Sequence, residues 1–356
     1  MIGVNDMSRI NIFGTTSYDV VIDNGVMSRM GSILRDEIGG IKAMVVSDSM
    51  VGPLYLASAL DSLREAGYET SSITLAAGEA LKNFENYELL VTSLAEAEFS
   101  RSDLLIALGG GTVGDLVGFA ASTFKRGMRC VQVPTSLLAA VDSSVGGKTA
   151  INLEIAKNQI GSFYNPTIVL CDPSLLLTLP DEVLLDGYAE IIKYGILNGE
   201  DIVDELRIAR DTTDYSKAIE MSVLAKKEIV EMDETDSMFR QYLNLGHLIG
   251  HAIEAALDYN ISHGHAVAAG LALEAKACAL SGLTSMATAN RISDILQEFG
   301  FELSKQYSYD MLVPYVHKDK RIREDSINVI VPRQLGECFM KKMSIPELDL
   351  FLKMAL

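Results

Sequence analysis

The stretch LIALGGGTVGDLVGF, residues 105–119, decides the fold class of this sequence. A short apolar run leads directly into glycines, and Gly109, Gly111 and Gly114 satisfy the pattern G-x-G-x-x-G. Such glycines let the backbone N–H groups at the start of a helix approach a pyrophosphate. The acidic residue that usually follows about 20 positions later is missing. Alone, the motif is as compatible with a tight strand–helix turn as with a nucleotide site.

Around this stretch, short apolar runs alternate with helical patterns. The runs KAMVVSDS, DLLIALGG, CVQVPTS and TIVLCDP each end in small or polar residues, and segments such as LYLASALDSLREAG and FENYELLVTSLAEAEF separate them. This alternation predicts a mainly parallel sheet with helices on its faces. Asp48, at the end of the first run, is then placed to supply the missing ribose carboxylate.

After CDPSLLLTLP the pattern changes to almost continuous helical periodicity, from Asp181 to about Leu312. The tail SINVIVPRQLGECFMKKM has the pattern of a strand hairpin. We therefore predict an α/β protein with a Rossmann-like domain over residues 1–179 and a helical domain over residues 180–356. Ligands of open parallel sheets bind at the carboxyl ends of the strands, so the active site is expected in the cleft between the two domains.

Composition narrows the function classes. The chain has 356 residues, of which 48% are hydrophobic and 22% charged, as in an ordinary globular protein. A formal net charge of −18 without a run of basic residues argues against nucleic acid and acidic membranes as partners. Neither a signal-peptide pattern nor an uninterrupted apolar span is present. Four cysteines without a CxxC pair favour a reducing cytoplasm and argue against a thiolate zinc site.

Two short motifs are ambiguous on their own. DSSVGGKTAIN contains GGKT, but a P-loop needs a glycine where Asp142 stands, so only Lys148 remains as a phosphate contact. GYAEIIKYG places Glu190 and Lys193 on one side of a helix. That pair is either a simple ion pair or a metal-binding carboxylate beside a substrate-binding cation.

The histidines indicate a metal. Four of the five lie between His247 and His265, and His247 and His251 share one helix face. Imidazoles with a carboxylate suit zinc, and a catalytic zinc site uses three protein ligands. The spacing lacks the glutamate of HExxH, so a metalloprotease would have no base. These residues predict a catalytic metal without naming its ligands.

The residues before the histidines extend this pattern. Arg240, Asn244, His247 and His251 follow one another at spacings of four, three and four, so one continuous helix would carry all four on one face. Burying such a face is costly unless it meets a polar ligand, so we expect a ligand site there.

Taken together, these segments resemble the 3-dehydroquinate synthase family of the sugar-phosphate cyclase superfamily. The likeness runs from about Phe13 to the C-terminus. Its seven motifs stand in the family order: GEALK, GGGTVGDLVGF, VPTSLLAAVDSSVGGKTAIN, KNQIGSFYNP, GYAEIIKYG, LNLGHLIGHAIE and HGHAVAAG. The resemblance implies conversion of 3-deoxy-D-arabino-heptulosonate 7-phosphate to 3-dehydroquinate and phosphate, in the shikimate pathway of aromatic amino acid biosynthesis.

The resemblance also implies how the reaction proceeds. NAD oxidises the substrate transiently, phosphate leaves by β-elimination, re-reduction follows, and an intramolecular aldol step closes the ring. The expected cofactors are NAD and a divalent metal, Zn²⁺ or Co²⁺. The expected partner is a small anionic sugar phosphate, bound by a cytoplasmic homodimer.

Site residues follow from the same resemblance. The metal ligands would be Glu190, His247 and His263. The NAD contacts would be Asp48, Glu79, Lys82, Gly111, Thr112, Val113, Gly114, Asp115, Thr135, Ser136, Lys148, Lys157 and Thr178. The substrate and catalytic contacts would be Arg126, Asp142, Lys148, Asn158, Lys193, Lys226, Arg240, Asn244, His251 and Lys320. In this family Arg126 would reach the phosphate from the neighbouring subunit's side of the dimer.

Four positions depart from the usual family pattern. His265 replaces the glutamate of HGEAV, and we expect it to act behind the metal ligands and not as one of them. Asp236 stands where glutamate is common, Ser136 replaces a threonine, and Arg321 replaces a second lysine. None of these changes removes a residue with an expected catalytic role.

Three alternatives remain to be weighed. A sister cyclase, such as 2-deoxy-scyllo-inosose synthase or a valiolone synthase, would depart from the DSSVGGKTAIN motif. A glycerol dehydrogenase-type enzyme would need no Arg240–Asn244 face and would release NADH. A non-catalytic NAD- or metal-binding regulator would not require the whole polar set.

Overall fold

The computed structural model of the protein describes residues 7–356, which form two compact units. The first runs to Leu179 and also includes Thr213–Lys227, and the second consists of Pro180–Thr212 and Glu228–Leu356. Residues 213–227 thus group with the first unit, although they follow the boundary predicted after residue 179. Hydrogen bonds explain this grouping, because Lys226 Nζ donates to Asp142 Oδ1 at 2.7 Å.

Nine strands lie in the described residues of the first unit. They are β1 Ser8–Ile12, β2 Tyr18–Ile22, β3 Lys42–Asp48, β4 Glu69–Leu75, β5 Leu104–Gly109, β6 Arg129–Pro134, β7 Lys148–Leu153, β8 Ala156–Phe163 and β9 Ile168–Cys171. Seven of them form one sheet in the order β1-β2-β9-β6-β5-β3-β4, while β7 and β8 form a separate hairpin. Only the β1–β2 pair of the large sheet is antiparallel, so the prediction of a mainly parallel sheet is confirmed.

Both faces of this sheet are covered. The connecting helices are α1 Met30–Glu37, α2 Gly52–Glu65, α3 Phe84–Glu96 and α4 Gly111–Thr123. In β3, Met44 and Val46 pack in one core with residues of α3 and α4. Ala43 and Val45 pack in a second core with residues of α1 and α2. Successive strand residues point to opposite faces, so a central strand of a doubly covered sheet is apolar throughout.

The second unit is mainly helical, as predicted. From residue 181 onward the chain forms α5 Asp181–Asn198, α6 Asp201–Thr212, α7 Ser216–Met232, α8 His247–Ala256, α9 His263–Leu280, α10 Met286–Glu298, α11 Tyr309–Val316, β10 Ser326–Gln334, β11 Glu337–Ser344 and α12 Ile345–Ala355. Of these elements, α7 groups with the first unit up to Lys227. The antiparallel pair β10–β11 is the hairpin expected in the tail. Within residues 7–356, no helix has the length and apolar character that a membrane crossing requires.

Helices α8 and α9 touch backbone to backbone. A Cβ atom added to Gly270 would lie 2.0 Å from the carbonyl oxygen of Gly246 and 2.8 Å from the amide nitrogen of Gly250. Any larger residue at position 270 would therefore push the two helices apart. The contact matters for the site, because each of these helices begins at a histidine.

One prediction about this region is wrong. The spacing from Arg240 to His251 predicted a single helix face, but a short 3-10 helix ends at Asn244 and α8 begins only at His247. Between them Gly246 takes a φ of +78°, a left-handed conformation that ends one helical segment and redirects the chain. Of the four residues in that prediction, His247 and His251 share a helix face, and Arg240 and Asn244 lie outside α8.

Candidate active site

Three potential metal ligands converge in the second unit. Glu190 comes from the middle of α5, while His247 and His263 are the first residues of α8 and α9. Glu190 Oε1 lies 3.4 Å from His247 Nε2 and 3.6 Å from His263 Nε2. These separations exceed ordinary hydrogen bonds. They are close to the roughly 3.3 Å between ligand atoms that tetrahedral zinc with bonds of about 2.0–2.1 Å requires.

Hydrogen bonds on the far side of each ring set its orientation. His247 Nδ1 donates to the carbonyl oxygen of Leu245 at 3.0 Å, and a carbonyl can only accept, so the lone pair of this ring is on Nε2. His263 Nδ1 lies 3.3 Å from Glu254 Oε2. Carboxylates and carbonyls behind a histidine are the usual means of aiming its free nitrogen at a metal. Both Nε2 atoms accordingly face Glu190.

The charge balance of this cluster also fits a cation. Glu190 has 0% of its surface exposed, and Lys193, one helical turn away, pairs with its Oε2 atom. Burial alone would raise the pKa of Glu190, but Lys193 and His247 lower it well below its usual range. Burial lowers the pKa of His263, yet Glu190 and Glu254 raise it to about 10. Glu190 is therefore an ionised carboxylate that attracts positive charge, and a metal ion that binds here would displace the proton from His263.

A second group of three residues lies beside the first. Suitable atoms of His251, Glu254 and His263 also come within 4.8 Å of one another. His251 is exposed, however, and its ring packs edge-on to that of His247 at 5.2 Å. The group that contains fully buried Glu190 is the stronger candidate, because a buried carboxylate without a positive partner is energetically costly.

His265 lies in neither group. Its Nδ1 is 2.7 Å from Ser262 Oγ and 3.5 Å from Asp186 Oδ1, and its ring packs edge-on to Phe301. His265 thus faces Ser262 and Asp186, and its expected role behind the potential ligands stays a prediction.

In the first unit, the glycine-rich turn lies between β5 and α4. The residue that precedes α4 is Gly110, so no side chain caps the first N–H groups of this helix. A Cβ atom on Gly111 would lie 2.7 Å from Ser143 Oγ, and one on Gly114 would lie 2.7 Å from Gln132 Oε1. The glycines thus allow close packing of α4, and the uncapped helix start suits an anionic pyrophosphate.

Asp48 ends β3, a neighbour of β5 in the sheet. Its Oδ1 accepts hydrogen bonds from the backbone N–H groups of Met50 and Val51, at 2.8 and 3.0 Å. Among residues 7–356, none donates a hydrogen bond to its Oδ2, which leaves this oxygen available for a ribose hydroxyl. Thr135 and Ser136 directly follow the next strand, β6.

A polar network lies beside α4. Lys82 Nζ donates to Asp115 Oδ2 and to Asn158 Oδ1, both at 2.5 Å. Asn152 Nδ2 donates to Glu79 Oε1 at 2.8 Å. Although burial lowers the pKa of Lys82, Asp115 and Glu79 raise it, so this lysine carries a positive charge next to the glycine-rich turn. Glu79, Lys82, Asp115 and Asn158, which the family resemblance assigns to the site, are thus brought together.

The other expected residues of the first unit are more dispersed. Thr178 Oγ1 lies 2.5 Å from the hydroxyl of Tyr55, on the helix that follows Asp48. Lys148 and Lys157 lie on the β7–β8 hairpin. Arg126, in the turn after α4, is exposed and has no hydrogen bond or ion pair with any residue that the structure describes.

The remaining expected substrate residues belong to the second unit. Arg240 is buried, and its Nη1 donates to the carbonyl oxygen of Glu234 at 2.6 Å. Asn244 is half-buried, whereas Lys320 is exposed. Arg321 pairs with Asp319 through two hydrogen bonds, from Nε at 2.8 Å and Nη2 at 2.5 Å.

Two acidic residues beside the potential metal ligands were not predicted. Glu254 follows His247 by seven positions and His251 by three, so it shares their helix face, and that spacing was a usable signal. Glu274 caps the start of α8 from another helix, and no local pattern could have indicated it.

Comparison with known proteins shows the family of the chain. The profile described as "3-dehydroquinate synthase N-terminal" matches residues 72–186, and that described as "3-dehydroquinate synthase C-terminal" matches residues 187–322. The chain belongs to the 3-dehydroquinate synthase family. Among its relatives, the 3-dehydroquinate synthase of Latilactobacillus sakei is 39% identical, over 96% of each chain. That of Nitrosomonas europaea is 42% identical, over 90% of this chain and 89% of the relative.

Solved structures share the fold at lower identity. A 2-deoxy-scyllo-inosose synthase, complexed with carbaglucose-6-phosphate, NAD⁺ and Co²⁺, has a TM-score of 0.87 at 23% identity and covers 98% of this chain and 100% of its own. A 2-epi-5-epi-valiolone synthase from Streptomyces hygroscopicus, with NAD⁺ and Zn²⁺ bound, has a TM-score of 0.86 at 23% identity, over 98% and 99%. A glycerol dehydrogenase from Schizosaccharomyces pombe is more distant, with a TM-score of 0.64 at 14% identity over 99% and 92%.

Proposed function

We propose that this protein is a 3-dehydroquinate synthase that uses NAD and a divalent metal to convert 3-deoxy-D-arabino-heptulosonate 7-phosphate to 3-dehydroquinate and phosphate. The observation that carries the proposal is the cluster of buried Glu190 and His247 with half-buried His263, in a chain that belongs to this family. The fold relatives whose structures hold NAD⁺ with Co²⁺ or Zn²⁺ support the same choice of cofactors.

Glu190, His247 and His263 would hold the metal. When bound, a zinc or cobalt ion supplies Lewis-acid polarisation of a substrate oxygen, a role that contributes several kcal/mol of charge stabilisation. Lys193 keeps Glu190 ionised, as the lowered pKa of that carboxyl indicates. Glu254 orients His263 through Nδ1. Lys193 is itself 1% exposed, and its ammonium, beside the proposed ligands, would bind the substrate.

NAD would bind in the first unit and, when bound, would supply a reversible hydride acceptor. The uncapped start of α4 would bind the pyrophosphate, and Asp48 Oδ2 would accept a hydrogen bond from a ribose hydroxyl. Lys82 neutralises Asp115 and thereby limits the repulsion between this carboxylate and the phosphates. Glu79, Thr135, Ser136, Lys157 and Thr178 would complete the contacts.

Cationic side chains would bind the substrate, which carries a carboxylate and a phosphate. Lys148, Arg126 and Lys320 are exposed, and such cations form strong charge-assisted hydrogen bonds with anionic groups. Lys226 is already tied to Asp142, so these two would orient the substrate together. Asn158, Arg240, Asn244 and His251 would supply further polar contacts. When both anionic ends of the substrate are bound, its reacting carbons are held in the orientation that the reaction requires.

We further propose that the enzyme is a cytoplasmic homodimer. Its four cysteines are all unpaired, and three of them are buried, as expected where thiols stay reduced. Arg126 has a free guanidinium within the described part of its own chain, as a residue that serves a partner subunit would. Sedimentation of the purified protein tests the dimer.

The deciding experiment follows both products from 3-deoxy-D-arabino-heptulosonate 7-phosphate with NAD and zinc. Equal release of phosphate and 3-dehydroquinate, lost after chelation and without net NADH, is the expected result. Net NADH from a polyol would instead indicate a glycerol dehydrogenase-type enzyme. No release from this substrate, together with release from glucose 6-phosphate or sedoheptulose 7-phosphate, would refute the synthase and indicate a sister cyclase.

A further inference from the structure

The helix that carries His247 is capped by a residue from another helix. Glu274, in α9, is 1% exposed. Its Oε2 accepts a hydrogen bond from the N–H of Gly246 at 2.9 Å, and its Oε1 accepts one from the N–H of Ile249 at 3.0 Å. The residue before α8 is a glycine and offers no side chain for capping. The carboxylate of Glu274 therefore satisfies donors that would otherwise be unpaired, and it sits at the favourable end of the helix dipole.

The helix that carries His263 is capped in the same way. Asp186 lies on α5, one helical turn before Glu190, and its Oδ1 accepts a hydrogen bond from the N–H of Gly264 at 3.0 Å. The side chain of Ser262, which precedes α9, does not cap this helix. A Cβ atom on Gly264 would lie 2.2 Å from the Cα atom of Asp186, so the two helices are in direct contact at this point.

These two caps, which make three hydrogen bonds, connect the three helices that carry the potential ligands. Asp186 ties the start of α9 to α5, and Glu274 ties the start of α8 to α9. His263 and His247 are the first residues of the two capped helices, and Glu190 follows Asp186 on the third. The first turn of a helix is where fraying begins, because its N–H groups lack partners within the helix. Metal ligands must nevertheless be held to within about 0.5 Å.

We propose that Glu274 and Asp186 are positioning residues for the metal site, each holding in place the helix start that presents one histidine. The proposal rests on the metal site of the proposed function. Neither carboxylate touches the metal ligands directly; each acts through the backbone of a neighbouring residue. Mutation of residues that orient metal ligands without binding the metal typically lowers metal affinity about 10–100-fold.

The test is a Co²⁺ titration of the full-length protein, followed by the visible absorption of the bound metal. The variants are Glu274→Gln and Asp186→Asn. Each keeps the size of the side chain but removes its charge and replaces one hydrogen-bond acceptor oxygen by an NH2 group. The matched control is Asp103→Asn. Asp103, in the first unit, is also buried and accepts hydrogen bonds from the N–H groups of Ile41, Lys42 and Ser100.

We expect Glu274→Gln and Asp186→Asn to bind Co²⁺ 10–100-fold more weakly, with an altered absorption spectrum that reports a changed ligand geometry. Asp103→Asn should lose thermal stability but keep the wild-type affinity and spectrum. If Glu274→Gln does not fold, the proposal is tested with Asp186→Asn alone, because Asp186 is less buried than Glu274.

Three results would overturn the proposal. Wild-type affinity and spectrum in the folded variants would show that the caps do not position the ligands, while leaving the proposed function intact. An equal loss of affinity in Asp103→Asn would show a general effect of stability. A wild-type protein that binds no Co²⁺ would refute the metal site itself, and the positioning role with it.

Discussion

Replacing Glu190 by glutamine tests the metal site most directly. The substitution keeps the shape of the side chain and removes one negative charge from a position with 0% exposure. Even two unit charges about 4 Å apart, twice the length of a zinc–oxygen bond of about 2 Å, interact by about 4 kcal/mol at an effective dielectric constant of about 20. Since each 1.4 kcal/mol or so corresponds to a tenfold change in affinity, the zinc affinity should fall by about three orders of magnitude.

The same change should destabilise the metal-free protein. Lys193 is 1% exposed and would lose the carboxylate with which it pairs. Breaking a buried ion pair by removing one partner typically costs about 3–5 kcal/mol, because the other charge stays buried. The midpoint of urea unfolding, measured without metal, should therefore fall clearly below that of the wild type.

The assay is competition for Zn²⁺ between the protein and a chromophoric chelator, together with phosphate release under steady-state conditions. Glu298→Gln is the matched control, because Glu298 pairs with Arg207 at 2.7 Å on the surface of the same unit. This control should bind zinc like the wild type. If Glu190→Gln bound zinc within threefold of the wild-type affinity and still turned over, Glu190 would not be a ligand.

Three further substitutions test the surroundings of the site. Gly270→Ala should lower the melting temperature and weaken zinc binding, because the new Cβ atom would lie 2.0 Å from the carbonyl oxygen of Gly246. Overpacking of this kind costs about 1–3 kcal/mol. An unchanged melting temperature would contradict this contact. The variant His265→Glu should stay active, with a zinc affinity within about tenfold of the wild type, because His265 faces Asp186 and not Glu190. Complete loss of activity would indicate that His265 is a metal ligand. Burial would raise the pKa of Asp233, but hydrogen bonds from backbone N–H groups hold this pKa well below its ordinary value of 3.8. The ionised carboxylate therefore stabilises the fold fully above about pH 3.8, and this stabilisation is lost as the pH falls through the lowered pKa. Asp233→Asn should therefore lose about 2 kcal/mol at pH 7 and less near pH 3 in urea unfolding; an equal loss at both pH values would refute the assignment.

Much of the fold could be predicted because its signals are local. Apolar runs followed by glycine or small residues predicted the parallel strands, and the sustained helical periodicity after residue 180 predicted the helical unit. The four-residue spacing of His247 and His251 was enough to place them on one helix face. Each of these inferences needs only neighbouring residues and the regular geometry of a helix or strand.

The failed inference has an equally physical cause. Arg240 and His251 have helical spacing, but Gly246 takes a left-handed conformation where α9 packs against it, and the helix is interrupted there. A glycine within a helical pattern is compatible with continuation and with interruption. Only the packing of the neighbouring helix decided between the two.

By itself the sequence determined the order of the elements, the family and the residue types that could bind a metal, since periodicity and motifs depend on short stretches of chain. Tertiary structure alone decided which atoms face one another. The N–H of Gly246 meets Glu274 across 28 positions, and that of Gly264 meets Asp186 across 78. Buried donors take whichever acceptor the packing brings within about 3 Å, and no local pattern specifies that choice.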